Sequence, residues 1–218
     1  MTRRSVVHGV LRIAVAVLAV VAITYQLARL QAHPSFRGAG NFFSFFTIQS
    51  NMLAAAMLTL AALVRRPERS LAFEVVRGAA TFYIAITGVV FALFLSGLQE
   101  QLDTHNTFVN SVVHYVVPAV AVVDWFVEPP QRPLATRLAL AWLAYPLAWF
   151  VYTLVRGSVV HWYPYPFVDG SGHGYGGVLL RGVIFLVAVA LGAFAFLQLT
   201  TRRQRLGAGE LASALSVR

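Results

Sequence analysis

The sequence predicts an all-α fold, a polytopic membrane bundle of six transmembrane helices with both termini cytoplasmic. Three observations lead there. Of the 218 residues, 58% are hydrophobic and 11% charged, with a mean hydropathy of +0.70, outside the range of ordinary soluble domains. Six apolar stretches are each long enough to cross a bilayer, which takes about 20 residues. The basic residues, all arginine, segregate to alternate loops.

The first stretch covers residues 8–30. It follows a basic MTRR start, as a secretory signal would, but its run is too long for a signal and no small-residue cleavage site closes it. The same grounds set aside TRRSVV as a twin-arginine signal, so the chain is expected to remain whole. The others fall at 42–64, 75–97, 107–127, 134–155 and 176–200. Unalternating apolar runs exclude a barrel. Residues 1–205 are expected to form one transmembrane domain, and 206–218 a flexible cytoplasmic tail.

Orientation follows from arginine, which accumulates on the cytoplasmic side of short loops. Arg3, Arg4, Arg65, Arg66, Arg69, Arg132, Arg137, Arg202, Arg203 and Arg205 fall on one side of six threaded spans. The opposite side has Arg29, Arg37 and Arg156 with Glu100, Asp103 and Asp169. A multi-pass plasma-membrane protein is therefore expected. The net charge of +9 is explained by topology and attraction to anionic lipid, and no nucleic-acid partner is indicated. Without cysteine, disulfides and thiolate chemistry are excluded.

The second span carries unexpected polarity in FTIQSNML. At helical spacing Ser44, Thr47, Ser50 and Asn51 share one face, with Gln49 elsewhere. The fourth span, TFVNSVVHYVVPAVAVVDWFV, repeats the pattern with Asn110, Ser111 and His114, and Pro118 removes the amide that would bond the His114 carbonyl. Both spans begin on the outer side, which puts Thr47 ~8 Å and His114 ~10 Å below that surface at 1.5 Å per residue. Thr24, Tyr25 and Gln26 of the first span and Tyr152 and Thr153 of the fifth join them at the outer end. Above them lies the aromatic loop HWYPYPFVDGSGHGYGG, residues 161–177.

Polar residues within hydrocarbon must pair or face a wet cavity, and interhelical bonding by serine, threonine and asparagine is the plain alternative to a site. As a site, Thr47 supplies a hydroxyl nucleophile and His114 the base that activates it. Asn51, Asn110 and Tyr152 are candidates for orienting the histidine or holding an oxyanion and, with Tyr163 and Tyr165 of the loop, for binding substrate. His161, His173 and Asp169 are too weakly patterned for a metal site, and no cofactor is expected. Asp124 is expected to pair with an inner-face arginine, and Glu74 with Arg77 as a local helix pair.

Six spans, a threonine early in the second and the histidine of HYVVPAVAVVDW in the fourth together resemble the androgen-induced family of membrane proteins. The TIQSN and YPYPF segments look like a bacterial branch of that family. Animal members hydrolyse fatty-acid esters of hydroxy fatty acids through a threonine and a histidine, so the resemblance implies those roles for Thr47 and His114. The leading expectation is thus an intramembrane hydrolase of amphiphilic lipid esters. The alternative is a non-catalytic membrane protein that binds a lipid or small molecule or serves as a subunit of a complex. A transporter is disfavoured by the lack of inverted repeats and of a midplane charge.

Overall fold

The computed structural model describes the backbone of residues 3–33, 36–97, 106–170 and 174–216, and side chains over 6–33, 36–97, 106–170 and 176–206. Glu100, Asp103 and His173 lie outside the described residues. All regular structure among the described residues is helical. Six helices are long and apolar enough to cross a membrane: Val6–Gln31, Phe46–Leu63, Leu71–Leu95, Thr107–Val127, Leu138–Val160 and Gly176–Leu206. They are called the first to sixth spans below. The last helix continues through the segment expected to be a tail as far as Ser216.

Local chemistry sets the span boundaries. Before the second span the chain makes one short helix, Ala39–Phe42, entered through Gly38 at φ 94, a conformation that costs glycine little. Ser44 therefore lies in the turn before the span rather than on its polar face, and its hydroxyl donates to the Gly40 carbonyl, 2.7 Å. Ser70 and Asn106 cap the third and fourth spans, their side-chain oxygens accepting the amides of Phe73 (3.1 Å) and Val109 (3.0 Å), so two otherwise unsatisfied N–H groups are bonded.

The third span ends in a π-helical turn, Phe91–Leu95, and the fourth contains another, Val112–Val116. The second ends just before Pro118, whose missing amide disrupts the regular α-helical ladder. Such wide turns recur at functional sites. The two helices approach closely here: a Cβ on Gly88 would lie 3.0 Å from the His114 carbonyl oxygen.

The first span packs along the second, the second on the third, and the third on the fourth. Ala16, Ala19, Ala22, Ala54 and Ala55, all buried, keep these contacts close. A second core, with Phe82, Trp125, Trp142, Ala193 and Phe196, fastens the sixth span to the third and fourth. Gly78 stands between its tryptophans, where a Cβ would lie 2.7 Å from both Trp125 and Trp142. Gly78→Ala is therefore expected to destabilise the bundle by about 1–3 kcal/mol through overpacking, measured as a lower melting temperature in detergent.

At the arginine-rich end, buried charges tie four spans together. Asp124 accepts from Arg12 Nε at 2.7 Å, lies 2.9 Å from His8 Nε2 and 3.5 Å from Arg77 Nη1. Glu128 bonds Arg12 (3.0 Å) and Arg69, and Glu74 bonds Arg77 (2.8 Å). Arg12 and Arg69 also both donate to the Ala61 carbonyl at the end of the second span. Burial alone would raise the Glu128 carboxyl, but Arg12 and Arg69 hold it below its ordinary value. Arg77 completes the cluster by stacking on Trp125, 4.5 Å from the ring centroid. Glu74 and Arg77 are thus part of a long-range network, not just an isolated helix pair.

Candidate functional site

At the opposite end of the bundle a cavity of about 510 Å³ opens between the first, second, third and fourth spans, under residues 36–38 and 162–165. Thr47, Asn110, His114, Tyr163 and Tyr165 line it with Gln26 and Arg37. Its other walls are mainly apolar and include Phe42, Phe45, Ile48, Phe91, Leu95, Val109 and Val113.

Thr47 is the second residue of its span, so its own amide has no partner inside the helix. That amide donates to the Tyr165 hydroxyl at 3.4 Å, while Thr47 Oγ1 lies 3.3 Å from the same oxygen. Tyr165 is 6% exposed, seated among Phe45, Trp149 and a parallel Phe167 ring. Burial raises its phenol above the usual value, which keeps the proton available for donation.

On its other side Thr47 Oγ1 lies 3.4 Å from His114 Nε2. The His114 ring is stacked on Phe91, parallel within 9° and with centroids 3.7 Å apart. Its Nδ1 side lies against the Asn110 backbone carbonyl, short of a fully formed hydrogen bond. With its proton on Nδ1, the neutral ring leaves Nε2 free to accept from the threonine. The contact that holds the histidine ring is thus the Phe91 stack.

Asn51 is fully buried and does not line the cavity. Its Nδ2 donates to the carbonyls of Thr47 (2.9 Å) and Val113 (3.0 Å), which fixes the second span against the fourth beside Thr47 and His114. It is therefore placed as a clamp and not as a substrate contact. Tyr152 also stands outside the cavity lining, 44% exposed, with its hydroxyl 3.0 Å from Ser44 Oγ. Ser50 bonds Thr87 of the third span at 2.8 Å, and Gln49 turns to Tyr145 and the Phe43 carbonyl.

Compared with protein-family models, with curated proteins and with solved structures, the chain finds no match.

Chemically, the arrangement offers a hydroxyl between a ring nitrogen able to take its proton and a phenol able to give one. The Tyr165 phenol, itself accepting from the Thr47 amide, is a donor beside that hydroxyl of the kind that stabilises a developing oxyanion. Phe91 was not legible as a neighbour of the pair, whereas Tyr165 was expected at the site as a substrate contact and is found against Thr47 itself. The signal that could have found Phe91 is the run FALFL at the end of an otherwise regular apolar span, beside the histidine span that Pro118 perturbs.

Proposed function

We propose that the protein is an intramembrane hydrolase of amphiphilic acyl esters with Thr47 as nucleophile and His114 as general base. The observation that carries this reading is the 3.4 Å approach of Thr47 Oγ1 to His114 Nε2 inside a 510 Å³ cavity. Catalytic hydrogen bonds are commonly this loose without substrate. The arginine-rich end faces the cytoplasm and the cavity opens toward the outer leaflet of the plasma membrane, from which a lipid ester enters.

Thr47 Oγ1 attacks the acyl carbonyl carbon as its proton passes to His114 Nε2. The carbonyl π pair moves onto oxygen, where the Tyr165 hydroxyl, itself bonded by the Thr47 amide, receives the charge. Collapse of the intermediate breaks the ester C–O bond, and the alcohol leaves with the proton held on His114. Water then attacks the acyl-threonine and gives a proton to His114. The Thr47 oxygen departs with that proton, freeing a fatty acid.

A chain-bearing fluorophosphonate tests the reading directly. It is expected to label the purified protein at Thr47, mapped by mass spectrometry, and to fail on Thr47→Ala. A correctly folded wild type that takes no label and cleaves no acyl ester would sink the hydrolase reading and leave a lipid binder, which the mostly apolar cavity walls also suit.

A further inference from the structure

Gln26 is 6% exposed and lines the cavity from the first span. Its Oε1 is buried without a hydrogen-bond partner among the described residues. Thr47 meets Tyr165 and His114, and Ser50 meets Thr87; Asn51 Oδ1 and His114 Nδ1 are also buried without a partner among the described residues, but Asn51 does not line the cavity and His114 is held at Nε2. A buried amide oxygen without a partner costs free energy unless a ligand or water supplies one. Gln26 is five residues from the end of its span at Gln31, ~8 Å along the axis at 1.5 Å per residue. That is about the depth of His114, the eighth residue of a span beginning at Thr107.

We propose that Gln26 is a specificity subsite that reads a hydroxyl group close to the ester of the substrate, on the alcohol side. This rests on the hydrolase reading and adds the substrate class to it: partial esters of a polyol, such as a monoacylglycerol, in preference to simple alkyl esters. A primary amide both donates and accepts, and a hydroxyl answers both demands with one atom. Rotation about the last side-chain bond selects which amide atom turns to the cavity. An ester carbonyl or an alkyl chain leaves the acceptor unpaired. Similar depth of the amide and the Thr47–His114 pair in one cavity suits a hydroxyl within a few bonds of the ester, as in a glycerol monoester.

The test compares kcat/KM for a 1-monoacylglycerol and for the ethyl ester of the same acid, in wild type, Gln26→Leu and Gln26→Met, each checked by melting in detergent. The wild type is expected to prefer the monoacylglycerol by about 10-fold, the worth of one neutral hydrogen bond, and both variants to lose that preference. Retention of the preference in a folded variant overturns the proposal. So does an equal loss on both esters, which would make Gln26 a donor to the oxyanion. A non-hydrolysable 1-O-alkylglycerol separates this idea from the hydrolase reading. It should raise the melting temperature of the wild type more than a 1-alkanol of the same chain length does, with no difference in the variants. If nothing is hydrolysed but that difference appears, the subsite stands without the enzyme; if the ether and the alkanol act alike on the wild type, the subsite fails.

Discussion

Replacing His114 by alanine is expected to lower kcat for acyl-ester hydrolysis by about 100- to 10,000-fold, the range of a positioned general base. Thr47→Ala is expected to abolish the acyl-enzyme and to lose at least as much. The double variant should be little worse than Thr47→Ala alone, because the two groups act as one unit and their losses do not add. Tyr165→Phe removes only the phenolic proton and keeps the ring that packs on Phe45, Trp149 and Phe167. It is expected to cost about 100- to 1,000-fold in kcat with KM nearly unchanged, as the loss of one oxyanion donor does. Purified variants assayed on one ester, with the melting temperature as a folding control, decide the matter. Full activity in either Thr47→Ala or His114→Ala ends the mechanism.

Asp124→Ala is expected to have the largest effect on stability, about 3–5 kcal/mol, because it removes one partner of a buried charge cluster. Arg12 and Arg77, 4% and 3% exposed, would then share Glu128 and Glu74 at a site that water cannot readily reach. A suitable comparison is Glu68→Ala, which breaks a pair with Arg65 whose side chains are 60% and 71% exposed; such surface pairs are worth about 0–1 kcal/mol. Melting of both variants in one detergent reads the contrast. Equal shifts would show the Asp124 cluster to be as well solvated as the surface pair.

Much of this architecture was legible because hydrocarbon leaves so few solutions. Once six apolar runs of the right length are present, helical spans follow from backbone hydrogen bonding. Depth along a helix is fixed by 1.5 Å per residue, which put Thr47 and His114 at one level before their contact was known. Other features depended on tertiary geometry. Ser44 has the right spacing for the stripe, yet the turn after Gly38 ends before the helix begins, and spacing does not reveal where a helix starts. Asp124 was expected to meet an arginine; that Arg12 and His8 reach it from 112 and 116 residues away needs the packing of the first span against the fourth. Tyr165 is separated from Thr47 by 118 residues, and no local pattern marks which of the loop's rings turns inward. Asn51 and Tyr152 have the residue types of substrate contacts, but one is consumed by two carbonyls and the other bonds Ser44 outside the cavity.

The loop that carries Tyr165 sits between the fifth and sixth spans, and Phe167 and Val168 pack it onto the sixth. During synthesis the threonine therefore enters the membrane second of six, while the phenol beside it is seated only when the last span arrives. On the hydrolase reading, a nascent or truncated chain holds a nucleophile without its oxyanion donor and turns over the lipids around it about 100- to 1,000-fold more slowly. Catalytic competence then coincides with complete assembly, so activity reports on the integrity of the whole bundle.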